Sequence, residues 1–177
     1  MKFDLAEGRL ILERAPATLR ALLAGLPDTW TRSNEGPNTW SPHENIAHLI
    51  NGERTDWIPR ARLILAGDRT AKFVPFDREG FFVEGRARRL TELLDLFATA
   101  RAESLAALDG MGIGGRELNL TAQHPGLGEV TMRQLLSAWV VHDLGHIVQI
   151  SRVLARQLTD DVGPWTAYLS VLGKEAV

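Results

Sequence analysis

TMRQLLSAWVVHDLGHIVQISRVL, residues 131–154, is the segment from which the architecture follows. Thr131 and Gln134 stand as a capping box, the hydroxyl placed to accept from the amide three residues on and the glutamine to reach back. No proline interrupts the run that follows, and the helix is expected to extend to about Leu158. At 100° per residue, Leu135, Trp139, Ile150 and Val153 share a stripe with His142 and His146, and that stripe should face a core. Val140, Leu144 and Val148 make the far side apolar as well. A helix apolar all round must be covered on every side, by other helices or by a second subunit.

Three further segments carry the helical period. Ser41-Pro42-His43-Glu44 combines a serine N-cap, a proline at the first helical position and a glutamate at the third. The helix it opens should run to about Ala66, with Ile46, Ile50, Trp57 and Ile64 on one stripe and a bend or early stop at Pro59. Leu19, Leu22, Leu23 and Leu26 mark a first helix over 10–26, which Pro16 should either open or break, because proline lacks the amide donor of a helix interior. Leu90, Leu93, Leu94, Phe97, Leu105 and Leu108 mark a third over 86–108, stopped by the glycines of 110–115. Residues 117–130 are turn-rich and read as an irregular loop or a short hairpin. Gly163-Pro164 precedes a short terminal helix ending near Leu172. The sequence therefore predicts one domain over 1–177, all-α, a four-helix bundle with a short C-terminal helix. Loops of about fifteen to twenty residues exceed what compact bundles usually carry, so they are expected to cover something.

Composition narrows the function. The 177 residues are 45% hydrophobic and 24% charged, which excludes a disordered or collagen-like chain. No apolar run approaches the ~18 residues of a membrane span, and Asp4 and Glu7 leave no signal-peptide pattern. The absence of cysteine excludes disulfides, thiolate metal sites and a cysteine nucleophile, and permits a reducing, cytoplasmic location. A net charge of −2 gives no electrostatic case for nucleic acid or an anionic membrane. Neither a phosphate-binding glycine loop nor a Gly-x-Ser-x-Gly elbow is present.

Chemistry is left to the histidines. His142 and His146, one helical turn apart, present both imidazoles on one face, close enough to share an ion. With five histidines in 177 positions, such a pair arises by accident about once in seven, so its core-facing address carries the argument. An unpaired polar group there costs ~1–3 kcal/mol. A divalent metal would satisfy both rings at once; separate bonds to carboxylates or waters would serve equally well. His48 is the candidate for a third ligand, yet it lies nearly opposite the Ile46 and Ile50 stripe, beside Asn45, Leu49, Gly52 and Asp56. On periodicity alone, a solvated histidine is the better reading of it. Glu44 most simply completes the capping box, and one turn before His48 it is also placed to support that ring. Asp143 makes His-Asp-x-x-His, an echo of the zinc-protease helix, but the side chain is a methylene short and no downstream carboxylate stands at the expected distance. His43, at a helix start, and His124, before Pro125, are expected to be exposed. Gly145, ~1 kcal/mol worse than alanine in a helix, fits close helix packing as readily as a metal.

Together these segments resemble a known family. Trp40-Ser41-Pro42-x-Glu44-x-x-x-His48-Leu49 resembles the opening of helix two in the DinB-like family of bacterial four-helix-bundle proteins, and His142-Asp143-Leu144-Gly145-His146-Ile147-x-Gln149-Ile150-x-Arg152 resembles its helix four. His124-Pro125-x-Leu127-Gly128-x-Val130-Thr131 and Val162-Gly163-Pro164-Trp165 are similar to stretches found in many members. The resemblance implies a bundle with a long crossover connection, commonly paired as a homodimer. It also implies a divalent metal, typically zinc or nickel, held by His48, His142 and His146. Members with a known reaction include transferases that join a low-molecular-weight thiol, such as bacillithiol or mycothiol, to an electrophile, and a thiol-dependent isomerase. By resemblance, then, the expected partners are a small thiol and an electrophile, with Glu44 and Asp143 as candidate orienting or proton-handling groups. The alternative is a non-catalytic, stress-associated bundle that binds metal or a partner protein.

Overall fold

A computed structural model of the chain describes residues 2–173. In chain order its elements are α1 (Leu5–Leu23), the single turn α2 (Asp28–Thr31), α3 (Pro42–Thr55), α4 (Trp57–Leu65), the short α5 (Phe82–Arg86), α6 (Leu90–Asp109), strands β1 (Thr121–His124) and β2 (Gly128–Thr131), α7 (Met132–Arg156) and α8 (Thr159–Val162). Turns of 3₁₀ helix lie at Glu117–Asn119, Gly163–Ala167 and Ser170–Leu172. The four-helix bundle is made by α1, α3, α6 and α7. Helices α6 and α7 each pack on both α1 and α3, so the consecutive long helices α1 and α3 take opposite corners and the chain between them crosses over.

Both capping boxes are formed. Ser41 Oγ accepts from the Glu44 amide at 3.2 Å while Glu44 Oε2 accepts from the Ser41 amide at 3.0 Å. Thr131 and Gln134 do the same at 3.1 and 2.8 Å. The two prolines act differently from one another. The second expected helix breaks at Asp56, which takes φ −115° and ψ −69°, and divides into α3 and α4. Pro59 explains the position: it has no amide for the carbonyl of Thr55, and its ring crowds that carbonyl. Pro16, by contrast, sits inside an unbroken α1. The carbonyl it leaves without a helical donor is that of Leu12, and the buried Arg101 Nη1 donates to it at 2.7 Å.

Other boundaries also shift. The third expected helix, over 86–108, is α6 and starts later, at Leu90, while the short α5 lies almost wholly in the connection before it. In place of the expected terminal helix after Gly163-Pro164 stand two 3₁₀ turns, with α8 just before them, and residues 121–131 form a hairpin in which Thr121 pairs with Thr131 and His124 with Gly128. Gln123 on the outer edge of β1 exchanges backbone hydrogen bonds with the 71–73 segment, its amide donating to Ala71 and its carbonyl accepting from Phe73, both at 2.9 Å. The hairpin thereby ties the long 66–81 connection across α4 and α7.

The core is two apolar clusters. One gathers Leu12, Trp57, Leu105, Leu136 and Trp139; the other gathers Leu19, Ile46, Ile50, Phe97 and Ile150. Between them, at matching heights on three helices, lie the buried polar residues Glu53, Arg101 and Asp143. Val140 belongs to the core, whereas Val141, Leu144 and Val148 are exposed. Among the described residues no helix is long and apolar enough to cross a membrane.

Candidate metal centre

His48, from α3, meets His142 and His146, from α7. The Nε2 atom of His142 lies 3.0 Å from that of His48 and 3.1 Å from that of His146. The outer nitrogens decide the tautomers. His48 Nδ1 is 2.8 Å from the carbonyl oxygen of Arg78, and a carbonyl only accepts, so Nδ1 carries the proton and Nε2 presents a lone pair. His146 Nδ1 is 2.7 Å from Asn45 Oδ1. That amide cannot be reversed, because Asn45 Nδ2 donates to the carbonyl of Ser41 at 3.0 Å and faces that of Trp40 at 3.4 Å. His146 Nε2 therefore also presents a lone pair.

Two lone pairs thus point at one nitrogen of His142, which has at most one proton to offer. No arrangement of three neutral rings makes both bonds well. A cation at their centre satisfies all three. Tetrahedral ligands about 2.05 Å from a zinc-sized ion sit about 3.3 Å apart, close to the spacings observed. The three rings are the group of histidine and acidic residues that meets this condition among the described residues. Burial, reinforced by the neighbouring His142 and Arg78 charges, pushes His48 down to about 4. Burial and the adjacent imidazoles lower His146 as well. Both rings are neutral at pH 7, the state in which imidazole can ligate.

A cavity of about 370 Å³ opens beside the rings, with Asp56, Trp57, Arg60, Phe76, Arg78 and His124 in its wall. Asp56 pairs with Arg60 at 2.7 Å. Burial raises the Asp56 carboxyl, and the Arg60 charge opposes that rise. Trp40 packs on the cluster, its ring centroid 4.6 Å from that of His48 and stacked 6.2 Å from that of His146. A larger groove of about 460 Å³ between α1 and α6 is lined by alanines and by the charged Arg9, Glu13, Arg20, Arg101 and Asp109, with no histidine among them.

The placement of the candidate residues departs from the periodicity in several respects. His48 is buried, not solvated, because the 66–81 connection and α5 cover the face of α3 that the stripe leaves polar. His43 is buried too, its Nε2 3.0 Å from the carbonyl of Arg88, and takes no part in the cluster. His124 is half-buried in the cavity wall, where its Nδ1 accepts from the Gly126 amide at 3.1 Å. Glu44 does not reach His48: Oε2 serves the cap, and Oε1 accepts from Arg86 Nη2 at 2.7 Å. Asp143 turns inward, only 1% exposed, and Oδ2 pairs with Arg101 Nη1 at 2.5 Å. Arg101 Nη2 also binds Glu53 Oε1 at 2.6 Å, and Trp139 Nε1 donates to the same oxygen at 3.1 Å. Burial works against the Arg101 charge, but Asp143 and Glu53 outweigh it and hold the guanidinium above its usual range. The remaining oxygen of Asp143 and the Nδ1 of His142 are both buried without a partner, 3.9 Å apart. The roles of Asn45, Arg78 and Arg101 carry no local signal, since each arises from contact with a distant part of the chain.

Comparison with known proteins agrees with this architecture. YfiT from Bacillus subtilis, described as a probable metal-dependent hydrolase with an unusual four-helix bundle topology, superimposes with a TM-score of 0.75 over 89% of each chain at 19% identity. No curated protein sequence matches. The sequence profile of the DinB superfamily matches residues 11–150, a span from within α1 to the last turns of α7 that includes all three converging histidines. The chain belongs to the DinB superfamily.

Proposed function

We propose that this protein holds a divalent metal, zinc or nickel, on His48, His142 and His146 and uses it to transfer a low-molecular-weight thiol to an electrophile. The observation that carries the reading is the convergence of imidazole nitrogens, with the outer nitrogens of His48 and His146 already bonded, beside an open cavity. Imidazole donors suit zinc and nickel alike. A divalent ion held by these three nitrogens would supply the positive charge that lowers the pKa of an entering thiol toward neutrality. The chain has no cysteine, so the sulfur comes from solution. The Arg78 carbonyl and the Asn45 amide orient two of the rings, while Asp143 Oδ1 stands 3.9 Å from His142 Nδ1, beyond hydrogen-bond reach. Trp57 and Phe76 give the cavity an apolar wall that limits water around the reacting sulfur. The S–H bond breaks and its proton passes to solvent. As sulfur bonds to the electrophilic carbon, that carbon's bond to its leaving group breaks and the group departs with the electron pair, or, where the electrophile is a strained ring or an activated double bond, the opened bond keeps the pair and takes up a proton from solvent.

The chain also fits a homodimer paired through α7. Val141, Leu144 and Val148 are 66%, 44% and 63% exposed on one face of that helix, an apolar ridge left uncovered by the bundle.

The test is direct. Elemental analysis of untagged protein should find about one zinc or nickel per chain, lost in the His48→Ala, His142→Ala double variant. Metal-loaded protein is then incubated with thiols and a panel of electrophiles. Rates no greater than those of His142→Ala would end the enzyme reading and leave a non-catalytic, metal-binding or protein-interaction bundle.

A further inference from the structure

We infer that Arg78 anchors a carboxylate of the molecule that enters the three-histidine cavity. The identity of that molecule as a thiol rests on the function proposed above; the anion site does not.

Two guanidinium groups line the cavity. Arg60 is already neutralised by Asp56 at 2.7 Å. Arg78 makes no ion pair with any carboxylate among the described residues, and its guanidinium instead lies 5.3 Å from the centroid of the Trp40 ring. Its neighbour Asp77 is engaged elsewhere, with Oδ1 accepting from the Glu79 amide at 3.1 Å. The wall of the cavity therefore carries one uncompensated positive charge.

That charge is held in place. The carbonyl of Arg78 accepts from His48 Nδ1 at 2.8 Å, and Asn51 Nδ2 donates to the carbonyl of Asp77 at 2.7 Å. The backbone that presents the guanidinium is thus fixed to the same helix as His48, and less ordering is left for a ligand to accomplish. Arg78 also borders a second space of about 360 Å³, whose polar side chains are Asn38, Thr39 and Gln149 with the charged Glu35, Glu79 and Arg152, of which Glu35 pairs with Arg152 at 2.8 Å. A guanidinium standing between an apolar-walled cavity and a polar groove suits an elongated ligand, with a reactive end at the histidines and a carboxylate along its length. The planar fork of arginine matches a carboxylate in two parallel hydrogen bonds.

The full chain equilibrated with Zn²⁺ is titrated calorimetrically with 3-mercaptopropionate, with 3-mercaptopropionamide and with glutarate. The acid thiol should bind about tenfold more tightly than its amide, the worth of one charge-assisted contact. Arg78→Gln should erase that preference while keeping zinc content and amide affinity at the wild-type level, and Arg78→Lys should retain part of it. If only glutarate binds, and does so through Arg78, the anion site stands and the thiol reading falls. Equal binding of acid and amide overturns the inference and leaves the thiol reading intact. A preference that survives Arg78→Gln, or no binding by any probe, also overturns it.

Discussion

Asn45 Oδ1 lies 2.7 Å from His146 Nδ1 and joins α3 to α7 through a single proton. The bond forces the lone pair of His146 toward the other two rings. Asn45→Ala should therefore weaken zinc binding by about 10–100-fold in chelator competition, with helix content unchanged. Wild-type affinity in that variant would show that the ring needs no outer partner to face the centre.

His43 and His48 lie on the same helix and are equally buried, yet only His48 joins the cluster. His48→Gln should lose the metal. His43→Gln should keep it, at a stability cost of roughly 1–3 kcal/mol from the disturbed bond to the Arg88 carbonyl. Loss of metal in both variants would mean that the geometry around α3, not the ligand at residue 48, is what binding requires.

Acid should destabilise the metal-free chain in a defined window. Burial holds His48 near 4 in the fold, whereas an exposed imidazole titrates near 6.5. Between these values the unfolded chain takes up a proton that the native ring refuses. The stabilisation is complete above ~6.5 and is lost as pH falls toward 4, by about 3 kcal/mol for this ring. His146, also lowered by burial, adds in the same direction. Melting temperature measured from pH 7 to 4 should fall, and His48→Gln should flatten part of that fall. In the metal-loaded protein, protons compete for the same lone pairs only once pH reaches the folded range of these rings, so dialysis below about pH 4 should strip the metal.

Arg101 links two features that look unrelated along the chain. It forms ion pairs with both Glu53 and Asp143 and also supplies the donor that Pro16 denies to the Leu12 carbonyl. Arg101→Met leaves two buried carboxylates unpaired and should cost about 3–5 kcal/mol in denaturant unfolding. In a Pro16→Ala background the carbonyl regains a helical donor. The same substitution should then cost about 1 kcal/mol less. Additive costs would show that the Arg101 bond to the helix contributes nothing.

These long-range contacts mark what the sequence could and could not reveal. The capping boxes at Ser41 and Thr131 are legible because both partners lie within four residues, and they place α3 and α7 correctly. The break at Asp56 follows from Pro59 once the proline is read by the carbonyl it crowds, four residues earlier. Periodicity failed for His48 because a single stripe assumes one buried face, while α3 is buried nearly all round by the 66–81 connection and α5. It failed for Pro16 because rescue came from α6. The convergence of three rings could be anticipated only from resemblance. No spacing rule relates residue 48 to residues 142 and 146.

The uncovered face of α7 contains a glycine that the fold of one chain does not explain. Gly145 costs a helix about 1 kcal/mol against alanine, yet a Cβ built there meets nothing within 4 Å. Packing inside the chain does not account for it. It sits among Val141, Leu144 and Val148, where the absence of a side chain would let a second α7 approach closely. If that face pairs two copies, light scattering should report a dimer at micromolar concentration, and Leu144→Glu should yield a monomer with its metal retained. Gly145→Ala separates the two roles of the position. It should stabilise the monomer by the helix propensity gained and weaken the dimer through the added methyl. A wild-type chain that is monomeric throughout, or a Gly145→Ala dimer as tight as wild type, would remove α7 from the interface.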